Sequence, residues 1–366
     1  MAMFDQRLLR RASRRAWAEA STNPVVRVVS LMMLVVAMLS VLRLLYSSAT
    51  TPRPIIAVPN PTRAPPSELP PYLLFGVPTL ARKTDYLNPT LDRILEQLPE
   101  DPNDPMYRRI CVLIVKNGAK HSAFGKAQSR LSHRPEFIFV ENDARLTAED
   151  LEEPPANEFI NPDVPSWRVR KQTRDIVSMM RLAYDLSPSY FMFLEDDFWL
   201  CPSGLEAILH LLAKAYRYAP DWIALVMAEG MNGIFLKRKD MPIFSDYLFE
   251  HQRRRPPDHL VVEWFAGETE QSASYRKDRP HLAFRYNLLR HRGAESTLRG
   301  SIGGTENSCY HVNDDGRMFN VESFKVDECD HDDVWPCPPH DPTRPVMNWA
   351  PPTQAPRPML PGPPPP

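Results

Sequence analysis

Net charge is nearly absent from this chain: 44 Lys and Arg against 45 Asp and Glu leave −1 over 366 residues. So balanced a polypeptide has no overall field to draw in nucleic acid, and no nucleic-acid partner is expected. No Asn-x-Ser/Thr sequon lacks an intervening proline, so N-glycosylation is not expected either. Cysteine and histidine pairs at zinc spacing are missing, which argues against a structural zinc site. The five cysteines cannot all pair within one chain. An oxidising lumen permits one or two disulfides, and Cys309, Cys329 and Cys337 lie close enough in sequence to form one, with the pairing open. Cys111 sits in an apolar run and reads as a small buried residue. No internal repeat is present.

Proline is plentiful, and concentrated at the margins. It supplies eight of the 21 residues from Thr51 to Pro71 and nine of the 16 from Pro351 to Pro366, so both segments read as extended. Between them lies enough mixed apolar and charged sequence for one sizeable domain. Near the N-terminus Arg7, Arg10, Arg11, Arg14, Arg15 and Arg27 precede an uncharged apolar run over 28–42, against only Asp5 and Glu19. With Arg27 and Arg43 snorkelling, residues 25–46 are long enough for a membrane-spanning helix. A cleaved signal peptide is disfavoured, because no Ala-x-Ala-like site follows at the usual distance. The arginine excess orients the N-terminus to the cytosol and the rest to a lumen. The expected organisation is a basic tail over 1–24, an anchor over 25–46, a Pro-rich stem over 47–71, a catalytic domain over 72–303, an extension over 304–350 and a Pro-rich tail over 351–366.

Apolar runs at 72–77, 110–115, 137–140, 190–194 and 222–226 read as buried strands of parallel type. Helical patterns separate them: Leu91, Ile94, Leu95 and Leu98 share a face, as do Ile176, Val177, Met180, Leu182 and Ala183 within 168–186, and a further helix covers 204–216. This alternation predicts an open α/β sheet with ligands at the carboxyl ends of the strands. One such end is Tyr190-Phe-Met-Phe-Leu194, followed by Glu195, Asp196 and Asp197. Carboxylates at a buried strand tip need a charge partner, and a hard divalent cation with oxygen ligands supplies one. In sugar-nucleotide chemistry that cation bridges the donor phosphates and neutralises the leaving group. The motif suggests a glycosyltransferase.

Four segments resemble one family. Phe75-Gly-Val-Pro-Thr-Leu80 with Tyr86-Leu87 and Thr90-Leu91 is similar to its opening Gly-Ile-Pro-Thr-Val strand and the helix after it. Trp167, Lys171-Gln172 and Asp175 resemble its Lys-Gln-Asn-x-Asp helix before the Leu194-Glu-Asp-Asp197 signature. Trp222 to Phe235 and Pro257-Asp258-His-Leu260 are looser matches. Arg290-His291-Arg-Gly293 with Ser296-Thr-Leu-x-Gly300 resembles its Gln-His-Val-Gly-x-x-Ser-Ser-Leu-x-Gly. The family is glycosyltransferase family 54, the alpha-1,3-mannosyl-glycoprotein beta-1,4-N-acetylglucosaminyltransferases. The likeness spans roughly 72–303.

The resemblance implies a GT-A type nucleotide-sugar-binding α/β sheet flanked by helices, in a Golgi type II membrane protein. It also implies inverting transfer of N-acetylglucosamine from UDP-GlcNAc to a mannose of a glycoprotein N-glycan. Asp196 and Asp197 would hold Mn²⁺ or Mg²⁺, with His291 a late metal ligand or phosphate contact. Pro78, Thr79, Arg168, Lys171 and Glu195 would line the donor site, Arg168 and Lys171 meeting phosphate and Glu195 making structural hydrogen bonds. An inverting transfer needs a carboxylate to accept the acceptor's proton. Glu229 is the first candidate and Asp258 its rival.

The chain departs from the family after Gly303, where about sixty residues stand in place of a lectin-like domain. Transfer to a glycosylphosphatidylinositol anchor is one alternative, and a catalytically silent glycan- or partner-binding relative is another. The acidic run from Asp327 to Asp333 reads as a solvated tail, and Arg253-Arg-Arg255 as a solvated basic patch.

Overall fold

The computed structural model describes residues 69–142, 165–228, 230–293, 295–296, 300–301, 308–314, 321, 323–338 and 347–352. The anchor expected over 25–46 and most of the proline-rich segments lie outside the described residues. Among the described residues, no helix is long and apolar enough to cross a membrane.

A central sheet carries the fold. Its first strands are β1 (Leu73–Thr79), β2 (Ile110–Asn117), β3 (Phe137–Asn142) and β4 (Tyr190–Phe193), each grown from an apolar run foreseen in the sequence. Both faces are buried, which is why these runs are continuous rather than alternating. Leu73, Phe75 and Val77 of β1 point into one core layer while Leu74 points into the other. The first layer is closed by α1 (Leu87–Leu95), α2 (Ser122–Leu131) and α4 (Gly204–Tyr218), and the second by α3 (Trp167–Asp185), α5 (Met241–His251) and α6 (Pro257–Ala266). A short helix, α7 (Glu270–Arg276), follows, opened by a Thr269–Ser272 capping box.

The sheet is mixed rather than purely parallel. With β6 (Ala224–Val226), β7 (Ile234–Lys237), β8 (His281–Phe284) and β12 (Val334–Trp335), its order is β12-β8-β6-β7-β4-β1-β2-β3. β7 runs antiparallel to both β4 and β6, and β12 runs antiparallel to β8. In the turn between β6 and β7, Gly230 and Gly233 take left-handed backbone (φ 65° and 72°). Such short strands carry too few residues for periodicity to reveal them. Three more pairs of ends meet away from the sheet: β5 (Phe198–Leu200) with β9 (Leu289–His291), β10 (Glu295–Ser296) with β11 (Gly300–Ser301), and Tyr286 with Val312.

Two expectations are corrected here. The acidic run is not a solvated tail at its end: Asp332 and Asp333 are buried and both pair with Lys214 of α4, the Asp332 contact at 2.7 Å. Phe324, Val334 and Trp349 are buried in the same region. Nor is the Arg253–Arg255 run merely solvated, because Arg254 and Arg255 neutralise the buried Glu263 carboxylate, which also accepts from the Tyr247 hydroxyl. Disulfides join Cys201 to Cys309 and Cys329 to Cys337. Cys111 is a buried free thiol, pushed up to about 12 by burial.

His281 of β8 gives a pH dependence that can be measured. Its Nε2–H donates to Val321 O (3.0 Å), Phe265 and Trp335 pack near its ring, and its buried Nδ1 has no hydrogen-bond partner among the described residues. Burial, with Arg276 adding, drives its pKa down to about 4. Between that value and about 6.5 the unfolded chain binds the extra proton and the folded one does not, so stability falls as pH falls. The wild type should lose about 2–3 kcal/mol from this group between pH 7 and 4.5. Urea melts should show a shallower pH slope for His281→Asn; equal slopes would contradict the assignment.

Candidate active site

The three carboxylates stand at the crevice where the chain reverses its path across the sheet. From β1 the chain steps to β2 and β3 on one side, then returns through α3 to β4 on the other side of β1. Carboxyl ends flanking such a reversal are where open α/β sheets bind ligands. Thr79 closes β1 there, and Glu195, Asp196 and Asp197 follow β4.

Each carboxylate is held differently. Glu195 is locked to the β6–β7 turn: its backbone N–H donates to Asn232 Oδ1 (2.7 Å), and its Oε2 accepts from Asn232 Nδ2 (3.0 Å). Asp196 accepts from the Thr79 hydroxyl, while its backbone carbonyl accepts from Thr90 Oγ1 (2.8 Å). Thr79 is itself aligned by His121, the N-cap of α2. His121 Nδ1 accepts from Phe124 N–H (3.3 Å), which leaves Nε2–H to donate to Thr79 Oγ1 (2.8 Å). Asp197 faces Arg82 Nη1 (2.6 Å) and His291 Nε2 (3.6 Å) through one oxygen, and its carbonyl accepts from Arg292 N–H (2.9 Å). Pairing of β5 with β9 brings His291 there, by setting it opposite Phe198 with the two rings stacked at 4.6 Å.

Burial and charge set these groups apart. Burial, with the Asp197 charge adding to it, raises Glu195 to about 7. Burial raises Asp196 to about 6 against the pull of Arg82 and Thr79. Asp197 is raised by burial too, but His291 and Arg82 outweigh that and hold it below the ordinary carboxylate range. His291 is raised in turn by Asp197. One strand tip thus carries a firmly ionised carboxylate beside two whose ionisation burial opposes.

Beside this cluster opens a cavity of about 250 Å³, near the lower end of small-ligand sites. Pro78, Thr79, Arg168, Lys171 and Glu195, the five residues expected at a donor, all line it. Lys171 pairs with the buried Asp175 (2.6 Å), and Arg168 lies over the Trp167 ring. Asp258, in the first turn of α6, packs beside Gly230 in the same turn that locks Glu195. Glu229 lies outside the described residues.

Sequence reasoning missed Arg82, His121 and Asn232. Arg82 had a legible signal: it lies in the loop leaving β1, at the same sheet end as the acidic triplet. The other two depend on how loops fold back, which no spacing reveals.

Among the described residues no group of three or more His, Cys, Asp and Glu side chains is gathered closely enough to hold a metal ion. Asp196, Asp197 and His291 nevertheless stand together, Asp197 Oδ2 lying 3.6 Å from His291 Nε2. Their donor set fits Mn²⁺ or Mg²⁺, because among the described residues Asp197 Oδ1 is buried without a hydrogen bond, Asp196 Oδ1 meets only the Arg82 guanidinium, and an imidazole stands alongside.

Gly293 makes this cluster possible. A Cβ there would lie 2.0 Å from Asp197 Oδ2 and 3.0 Å from His291 Nε2. Gly293→Ala should therefore displace the Asp197 carboxylate, at a cost of about 1–3 kcal/mol in stability and on the order of 10² in turnover. Gly125→Ala, where a Cβ meets nothing within 4 Å, is the matched control. Thermal melts and turnover for both check this, and an inert Gly293→Ala would refute the close packing.

No protein-family model matches the chain, and no curated protein matches it. Several solved structures are similar in part. TarS from S. aureus, residues 1–349, is 8% identical with a TM-score of 0.35, covering 53% of this chain and 54% of that one. The mannosyltransferase PcManGT from Pyrobaculum calidifontis, in complex with GDP-Man and Mn²⁺, is 14% identical with a TM-score of 0.30, covering 55% and 59%. Mouse xyloside xylosyltransferase 1 is 10% identical with a TM-score of 0.31, covering 58% and 83%. The chain spans about a fifth of the longer TarS structure and about half of its 1–349 fragment. Similarity at this level carries no functional argument, which rests on the site's own geometry.

Proposed function

We propose that this protein is a metal-dependent inverting glycosyltransferase of GT-A type, taking a nucleotide-sugar donor. The observation that carries the reading is the acidic triplet at the reversal point of the sheet, opening on a cavity walled by Arg168 and Lys171. Asp196, Asp197 and His291 would hold Mn²⁺ or Mg²⁺, which supplies charge neutralisation for the departing nucleoside diphosphate. Arg168 and Lys171 bind phosphate oxygens, and Glu195 holds the acidic loop to the β6–β7 turn. The acceptor hydroxyl oxygen attacks the anomeric carbon while the bond from that carbon to the diphosphate oxygen breaks. The electron pair leaves with the diphosphate, and the hydroxyl proton passes to Glu229 or Asp258. From the sequence resemblance the donor is UDP-GlcNAc, the acceptor a mannose of an N-glycan, and the setting a Golgi type II membrane protein with a lumenal domain.

The test is a nucleotide-sugar hydrolysis panel on sealed vesicles carrying the full-length chain, with and without permeabilising detergent. Hydrolysis of UDP-GlcNAc above other donors, appearing only after permeabilisation, is the expected result. Preference for another donor would overturn the UDP-GlcNAc assignment, hydrolysis by intact vesicles would overturn the lumenal placement, and inertness towards every donor would overturn the enzyme.

A further inference from the structure

The carboxylate pair already meets a cation in this protein, and that cation is a side chain. From the loop after β1, Arg82 spans both acids: Nη2 is 2.9 Å from Asp196 Oδ1 and Nη1 is 2.6 Å from Asp197 Oδ2. All three side chains are nearly buried, at 14%, 4% and 6% exposure. A guanidinium and a divalent ion cannot share these oxygens, since like charges so close in a site of low dielectric repel strongly. Yet Arg82 also lines the cavity with Arg168 and Lys171, and its guanidinium lies 5.5 Å from the Tyr86 ring. It therefore has somewhere to go.

We infer that Arg82 is an exchangeable internal counter-ion: it neutralises Asp196 and Asp197 in the metal-free protein, yields them to the divalent cation, and turns into the cavity to bind the donor's diphosphate. Two buried carboxylates left without any cation would be costly, which explains why one is built into the fold. A planar fork of donors suited to carboxylates is equally suited to phosphate oxygens, so the same side chain serves both states. The exchange couples the two ligands: metal binding releases the group that then holds the nucleotide. The inference rests on the reading of Asp196 and Asp197 as the metal site.

Calorimetric titration of the full-length chain with Mn²⁺ alone, and with UDP in the presence of Mn²⁺, tests it. Arg82→Ala should bind Mn²⁺ roughly ten- to a hundred-fold more tightly than the wild type, because the ion no longer displaces a charge-assisted pair. UDP should bind the same variant about tenfold or more weakly, because its phosphate contact is gone. Without metal, Arg82→Ala should melt below the wild type and gain more from added Mn²⁺. Arg82→Gln, which keeps a hydrogen-bonding head without charge, carries the same test if the alanine variant does not fold. Mn²⁺ affinity equal to or weaker than the wild type's in the folded variants would overturn the exchange while leaving the metal reading intact. Absence of Mn²⁺ binding in the wild type and in both variants would overturn the metal reading, and the exchange with it.

Discussion

Asp197→Asn should abolish nucleotide-sugar turnover while leaving the protein folded. The substitution keeps the side chain's shape and its ability to accept from Arg82, but removes the charge that sits between Arg82 and His291. Of the three carboxylates Asp197 alone is held below the usual range, so its loss removes the most firmly ionised ligand from the cluster. Loss of one charged ligand at a diphosphate-bridging site should cost at least ~2–4 kcal/mol of transition-state stabilisation, or on the order of 10²–10³ in rate. Single-turnover assays with Mn²⁺ and with excess chelator, beside thermal melts, decide the matter. Full activity of Asp197→Ala in chelator would remove the metal from the mechanism.

A second large effect is expected at the general base. Glu229→Gln preserves shape and removes basicity, so transfer should fall by about 10²–10⁴ while donor affinity holds. Asp258→Asn is the necessary partner experiment, because Asp258 Cβ lies within 4 Å of where a Cβ at Gly230 would stand, one residue on in sequence from Glu229. Asn232, which follows Gly230 by two residues, is hydrogen-bonded to Glu195 of the acidic loop. Donor calorimetry beside single-turnover transfer separates the two. Loss confined to Asp258→Asn would move the role there, and full activity of both would exclude both.

The core of this fold is legible because its strands are buried on both faces: the apolar runs of β1, β2 and β4 begin within a residue of where the sequence places them. Segments with weaker patterns were not. α2 buries only Phe124, Ala127 and Leu131, too sparse a stripe to stand out in its sequence. β7 turns the sheet antiparallel over four residues, and no pattern that short specifies direction. The burial of Asp333 depends on Lys214, a lysine within the apolar face of α4. A buried lysine demands an acid, but nothing in the spacing says which acid meets it.

The same division runs through the site. Glu195, Asp196 and Asp197 announce themselves because charge at the tip of a buried strand is expensive. Thr79 and Lys171 lie in segments that carry the family resemblance, and Arg168 and Lys171 are basic side chains at the start of the helix that precedes the acidic loop. His291 reaches Asp197 only through the β5–β9 pairing, and a three-residue ladder is invisible in sequence. Arg82 was passed over although its place just after β1 marked it, because a single arginine in a turn is ordinarily solvated; the parallel pairing of β1 with β4 sets that loop over the two acids.

The central claim, that the acidic loop and its cavity hold a nucleotide-sugar through a divalent cation, is tested most directly by determining the structure of the full-length chain with UDP and Mn²⁺. The account predicts Mn²⁺ coordinated by Asp196 and Asp197 and by the diphosphate, with Arg82 turned from the carboxylates to a phosphate oxygen. UDP bound elsewhere, or bound here with Arg82 still bridging the two carboxylates and no metal between them and the diphosphate, would contradict it.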